Sequence, residues 1–311
     1  MSTTNLVSFP GLGIIDLPVN RVAFSVFGLP IYWYGILIAF GVLLCVFLGM
    51  RHAPKYGLTP DDVLDVIIVT IPMAIVFARL YYVVFSWNTF KSNLLSVFDV
   101  RNGGLAFYGG VIGGILGILV VARFKRIRLH TILDFLVVYL PLGQAIGRWG
   151  NFFNQEAFGN NTTLPWGMKS AATQSYLESL TNATGIVPTD PVHPTFFYEF
   201  VANLLIFAIL LLIRRRTRTP YVTTLSYLAM YGFVRFFVES IRTDPLIFLG
   251  VRISEVLSAV MFLGSVVALW VMRSVAEKRE LQNALEAAVA EPAPDEKAED
   301  APEEKDGPSG N

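Results

Sequence analysis

Thirteen residues, Gly147-Arg148-Trp149-Gly150-Asn151-Phe152-Phe153-Asn154-Gln155-Glu156-Ala157-Phe158-Gly159, end a long apolar run with an arginine, two asparagines, a glutamate and three glycines. Arg148 precedes one carboxamide by three residues and another by six. A guanidinium beside two carboxamides offers several N–H donors to one anion, and glycines let backbone come close to a ligand. The stretch therefore reads as an anion site built from Arg148, Asn151, Asn154, Glu156 and Gly159. The competing reading is a turn at a membrane surface, where Gly, Asn and Arg are all common.

Further polar residues interrupt other apolar runs, where each costs free energy unless it faces a partner or a wet cavity. In Tyr231-Gly232-Phe233-Val234-Arg235-Phe236-Phe237-Val238-Glu239-Ser240-Ile241-Arg242, the residues Arg235, Glu239 and Arg242 stand at i, i+4 and i+7, one helical face. They form either a site or a purely structural Arg235–Glu239 pair. His193-Pro194-Thr195-Phe196-Phe197-Tyr198-Glu199 opens another run, with His193 as a helix-start residue or a catalytic one. Tyr198 and Glu199 follow within reach of a surface cavity. Tyr34, in Tyr32-Trp33-Tyr34-Gly35, and Tyr108, after Gly103-Gly104-Leu105, divide between an interfacial aromatic belt and a ligand contact. Arg79 is left between a carboxylate partner and a lipid headgroup. Asp61-Asp62-Val63-Leu64-Asp65 resembles a magnesium-diphosphate pattern, but it follows Thr59-Pro60, an N-cap and first-turn proline that place carboxylates at a helix's positive end.

The elements that must carry these residues are membrane spans. The chain is 54% hydrophobic and only 15% charged, too apolar for an ordinary soluble domain. Runs of the length a bilayer demands predict seven spans, at about 31–50, 63–85, 105–122, 131–146, 196–213, 222–238 and 253–272. The glycines 109, 110, 113, 114 and 117 of the third suit close helix packing in lipid. Thirteen Lys and Arg follow spans one, three, five and seven, against seven in the amino terminus and the alternate loops, which puts the amino terminus outside and the carboxyl terminus in the cytoplasm. The loop at about 147–195 then faces outward as a small folded cap, and His193 is the only histidine on that face. The first thirty residues lack a cleavable signal pattern, so the first span is expected to act as the targeting signal. Residues 276–311 are acidic and rich in Ala, Pro and Glu, expected to be disordered beyond a short helical stem near 276–290. The single Cys45 lies in an apolar run and suits packing. The expected architecture is an all-α integral membrane protein, 1–275 forming its seven-span catalytic domain. A transporter is the rival class, because intramembrane Arg and Glu also line solute paths, but no inverted hydropathy repeat is evident.

Over residues 20 to 275 the chain resembles bacterial prolipoprotein diacylglyceryl transferases. Residues 147–159 meet that family's signature at every fixed position, and Tyr34-Gly35, Gly103-Gly104-Leu105, His193-Pro194, Tyr198-Glu199, Arg235, Glu239 and Arg242 match its other recurring pieces. The resemblance implies seven spans in a bacterial plasma membrane, with an outward-facing site that takes phosphatidylglycerol and prolipoprotein signal peptides bearing a lipobox cysteine. Diacylglyceryl would pass to the cysteine thiol, releasing glycerol phosphate, with no metal, soluble cofactor or nucleic acid involved. Arg148 and Arg235 would clamp the phosphate, Asn151, Asn154 and Tyr34 would position it, and Glu156, Glu199 and Glu239 would orient the arginines. Gly159 would let the loop pass close to lipid. Some relatives carry histidine at the place of Tyr108, a candidate base. A phenol of pKa about 10 is a poor base for a thiol near 8.5. The proton then falls to His193, to the arginine field or to solvent.

Overall fold

The computed structural model describes residues 5–100, 103–180, 186–243, 247–248 and 251–290. It divides into two units, Met1–Val266 and Val267–Asn311. The chain opens with two antiparallel hairpins, β1 (Asn5–Phe9) with β2 (Ile14–Val19) and β3 (Val22–Val26) with β4 (Leu29–Tyr32). The second turns through Phe27 and Gly28, both at positive φ, as a two-residue hairpin loop that matches strand twist requires.

Helices follow: α1 (Trp33–His52), α2 (Pro60–Phe85), the single turn α3 (Trp87–Phe90), α4 (Phe107–Phe124), α5 (Leu129–Leu136) and α6 (Leu140–Asn154). After the two-residue strand β5 (Lys169–Ser170) come α7 (Ala171–Ser179), α8 (Thr195–Arg216), α9 (Val222–Ile241), the small β6 (Ile247–Phe248) and β7 (Val251–Arg252) pair, and α10 (Ile253–Ala290). Helices α1, α2, α4, α8 and α10 are each long and apolar enough to cross a membrane. The pair α5–α6 makes a sixth candidate, bent by 42°. Helix α9, 20 residues long, carries Arg235 and Glu239 and falls short of the same apolarity.

Local signals explain several boundaries. Thr59 and Asp62 close a capping box on α2: the Asp62 carboxylate accepts the Thr59 N–H at 2.8 Å and the Thr59 hydroxyl oxygen accepts the Asp62 N–H at 3.1 Å. Lys125, just past α4, pairs with Asp62 at 3.0 Å and with Asp65, so the acidic cluster serves a helix start and a helix–helix ion pair. The predicted fourth span at 131–146 is not one continuous helix. It breaks at 137–139, and Pro141, lacking an N–H, sits in the first turn of α6. Asp134 of α5 caps α9 across this corner, accepting the N–H groups of Tyr221 and Thr224 and the Thr224 hydroxyl.

Gly109, Gly113 and Gly117 of α4 form the seam against α2. A Cβ at these positions would stand 2.4 Å from the Phe77 carbonyl, 2.4 Å from the Met73 carbonyl and 2.7 Å from Thr70 Cα. Gly110 and Gly114, off that line, have nothing nearer than 3.8 Å.

The 147–195 segment packs with sequence from outside it. Strand β1 pairs with β2 on one side and β5 on the other, so the amino-terminal residues join the segment that follows α6. Val7, Val19, Phe158, Met168, Leu177 and Val192 are buried together there. These short strands are added to the all-α plan at the end where the site lies. In the second unit the described residues are helical as far as Ala290, carrying an Arg273–Glu277 ion pair at 2.8 Å. The predicted stem near 276–290 is thus part of α10, and the predicted disordered tail at 291–311 lies outside the described residues.

Candidate active site

The central stretch is not a loop over most of its length: Gly147 through Asn154 form the last two turns of α6. The helix stops at Gln155, which takes the left-handed conformation (φ 53) and returns its N–H to the Asn151 and Phe152 carbonyls. Helical spacing then sets Arg148 and Asn151 on neighbouring positions, 3.4 Å apart from Nη1 to Oδ1.

Three helices bring the charges together. Glu199, in the first turns of α8, is 1% exposed. Its Oε2 pairs with Nη2 of Arg148, and its Oε1 takes Nη1 of Arg235 at 3.2 Å. Arg235 also holds Glu239, one turn further along α9, at 2.5 Å. The side chains of Arg148 and Arg235 are 19% and 18% exposed, those of Glu199 and Glu239 only 2%. The carboxylates thus lie behind and the guanidiniums in front, so the reachable face of a charge-balanced cluster is cationic. That geometry favours an anion with acceptors for two guanidinium groups.

Glu156 does something other than orient an arginine. Its Oε1 accepts from Asn151 Nδ2 at 3.0 Å and from Asn154 Nδ2 at 3.1 Å, fixing both carboxamides. Tyr34 lies against the same helix end: a Cβ at Gly150 would stand 2.6 Å from its ring, which is why that position is glycine. Gly159 is also a close-approach position, but toward protein. A Cβ there would stand 2.8 Å from His193 Cβ and 3.0 Å from the Ile241 carbonyl, and its N–H donates to the His193 carbonyl. The expectation that it faces lipid is therefore replaced by one of backbone packing.

His193 sits in a short chain of hydrogen bonds. Trp166 Nε1 donates to the Tyr198 hydroxyl at 2.8 Å, and that hydroxyl lies 3.0 Å from His193 Nδ1. Indole is a donor only, so the Tyr198 oxygen accepts from Trp166, and the same hydroxyl shares a hydrogen bond with His193 Nδ1. Burial holds the His193 pKa below its ordinary 6.5.

Two more predicted members lie at the ends of α4 and α9. Tyr108, in the first turn of α4, meets Ser254 of α10, hydroxyl to hydroxyl at 3.4 Å. The next turn of α10 touches α9, where a Cβ on Gly232 would lie 2.8 Å from the Ser258 carbonyl. Arg242 is the C-cap of α9, where the backbone turns extended (ψ 145), and it bridges to Gly159. Among the described residues, Arg79 donates to backbone carbonyls rather than to a carboxylate.

Other members were missed in the sequence. Tyr231 contacts Arg148 and stacks on Tyr227 at 5.5 Å, which exchanges hydrogen bonds with Gln144 at 3.0 and 3.2 Å. Gln144 lies one turn before Arg148 and Tyr231 one turn before Arg235, so the four-residue spacing was available as a signal. Arg252, which donates to the Glu239 and Ser240 carbonyls at the end of α9, carried no such signal.

A family model for prolipoprotein diacylglyceryl transferase matches residues 21–271. The chain is 42% identical over 263 residues to a phosphatidylglycerol--prolipoprotein diacylglyceryl transferase of Enterococcus faecalis, covering 82% of this chain and 91% of that protein. It is 39% identical over 250 residues to the enzyme of the same name from Clostridioides difficile, covering 80% and 94%. With Oceanobacillus iheyensis the identity is 38% over 270 residues, 85% of this chain and 92% of the relative. The match takes in both arginines and the glutamates behind them, and the chain belongs to the prolipoprotein diacylglyceryl transferase family of membrane proteins.

Proposed function

We propose that this chain transfers the diacylglyceryl group of phosphatidylglycerol to the lipobox cysteine thiol of a prolipoprotein. The observation that carries the reading is the pair of reachable guanidiniums, Arg148 and Arg235, braced from behind by the single buried carboxylate of Glu199. In the reaction a carbon–sulfur bond forms as the adjacent carbon–oxygen bond to phosphate breaks. The thiol loses its proton and glycerol phosphate leaves carrying the bonding pair. Negative charge grows on the departing phosphate, so guanidiniums held in place act more strongly on the transition state than on the bound lipid. Asn151 and Asn154, fixed by Glu156, and Tyr34 beside them position the headgroup. Glu199 and Glu239 orient the arginines, and Tyr198 and Gly159 act at one remove, through His193 and the loop backbone.

For the thiol proton, the geometry favours solvent or the arginine field. Nδ1 of His193 is engaged by the Tyr198 hydroxyl, and the Tyr108 hydroxyl by Ser254. An apolar groove of about 300 Å³ between α8, α9 and α10, lined by Ala202, Leu205, Ile206, Phe233, Val234 and Phe262, adjoins the cluster. It suits an acyl chain whose phosphate lies at Arg235. We read α9 as the sixth of seven spans, with the cap and the site on the outer face of a bacterial plasma membrane. The thirteen-to-seven excess of Lys and Arg on alternate connections supports that orientation.

The test is transfer of radiolabelled diacylglyceryl from phosphatidylglycerol to a lipobox peptide by purified protein in detergent, wild type against Arg148→Ala. Wild type is expected to transfer label, and Arg148→Ala to lose at least about 10²-fold while melting as a folded protein. A folded wild type that transfers nothing across varied lipid compositions would remove the reading.

A further inference from the structure

Helix α2 carries a buried arginine that the proposed reaction does not use. Arg79 is 8% exposed, and its guanidinium donates to four backbone carbonyls of one segment: Ser96 at 2.6 Å, Val97 at 2.7 Å, Gly103 at 2.9 Å and Gly104 at 3.0 Å. The guanidinium also lies over the ring of Phe90, 5.1 Å from its centroid. Gly104 (φ 74) is shaped to this contact, since a Cβ there would stand 2.3 Å from Arg79 Nη1. Two residues on, the Ala106 N–H donates to the Ala78 carbonyl at 3.0 Å, and α4 begins at Phe107. Tyr108 is therefore the second residue of a helix whose approach is tied to α2 through Arg79 and Ala78.

A planar cation with five fixed donors can clamp several carbonyls at once, which an ammonium on a flexible stem does not do. We propose that Arg79 is a positioning residue for the transfer reaction, clamping the carbonyls of residues 96–97 and 103–104 so that Tyr108 is held at Ser254. The proposal takes its relevance to catalysis from the reading above, but its structural half is separately measurable.

The experiment combines Arg79→Lys, Gly104→Ala and Tyr108→Phe with 3-fluorotyrosine placed at position 108. Gly104→Ala disturbs the clamp from the segment's side while leaving the guanidinium intact. In both clamp variants the fluorine resonance of residue 108 is expected to shift or broaden in folded protein. The kcat for transfer should fall by up to about 10²-fold, as misplacement remote from the chemistry can cause, with KM for phosphatidylglycerol nearly unchanged. In the Tyr108→Phe background, Arg79→Lys should add little further loss, because both act through one group. An unmoved fluorine resonance would overturn the positioning claim whether or not transfer is detected. Full additivity with Tyr108→Phe, or a Tyr108→Phe variant of normal kcat, would overturn the route through Tyr108. Absence of transfer by wild type, with the resonance still moving, would instead count against the functional reading and the catalytic relevance of the clamp.

Discussion

Among single residues, Glu199 has the most depending on it. Each of its oxygens answers one arginine, and 2% of its side chain is exposed, so water cannot replace it. Glu199→Gln leaves two guanidiniums against one carboxylate in the interior. Breaking a buried pair from one side costs about 3–5 kcal/mol, and the melting temperature of the solubilised variant should drop accordingly, with transfer lost. A variant that melts like wild type would show that Glu199 is not the brace. His193 makes a pH-dependent prediction. Its folded pKa lies below the unfolded value near 6.5, so the unfolded chain binds more protons in that window. The stability this contributes is complete above pH 6.5 and is lost as pH falls through the folded value. Wild type should therefore lose melting temperature on acidification below pH 6.5, and His193→Gln should lose less over the same range. Parallel curves for the two proteins would refute this.

At the level of elements, the α2–α4 seam separates two kinds of glycine within one helix. Gly113 has the Met73 carbonyl 2.4 Å from where a Cβ would stand, whereas the nearest atom at Gly114 is 3.8 Å away. Gly113→Ala must push backbone apart, at an overpacking cost of about 1–3 kcal/mol. Gly114→Ala meets ordinary contact and gains helix propensity, about 1 kcal/mol. Melting temperatures of the two variants should move in opposite directions; equal shifts would mean the seam is not as described. The glycines were visible in the sequence as a packing stripe. Which of them touch α2 was not, because that depends on how far the helix is rotated about its axis. The end of α6 is a related case. The glycines and asparagines of 147–154 suit a turn, but the apolar packing of Phe152 and the contacts of Ala145 and Gly150 hold them helical, so the chain turns only at Gln155.

For the molecule as a whole, orientation is the property to measure. In a Cys45→Ala background, Ser175→Cys on α7 should react with a membrane-impermeant maleimide in intact cells. Arg128→Cys at the start of α5 should react only after permeabilisation. The reverse pattern would turn the protein over and put the site in the cytoplasm. The cap also shows a limit of sequence reading at this scale. Asn5–Phe9 is a five-residue strand with no long alternation, and its pairing with Lys169 and Ser170 joins segments far apart in the chain. Nothing in either segment alone announces the other.

By itself the sequence determined the apolar runs, the capped start of α2 at Thr59-Pro60-Asp62, the family and the roster of arginines, asparagines and glutamates. These follow from local physics: the length needed to cross hydrocarbon, the chemistry of helix ends and the spacing of side chains on one helix. Only the tertiary structure decided which charge answers which. Arg235 was expected beside Glu239, its neighbour one turn along, and meets it, but it also shares Glu199 with Arg148 from two other helices. Glu156, the nearest carboxylate in sequence to Arg148, went to Asn151 and Asn154 instead. Helix rotation and crossing, set by seams such as Gly109–Gly113–Gly117 and by the break before α6, choose those partners, and a one-dimensional pattern carries no record of them.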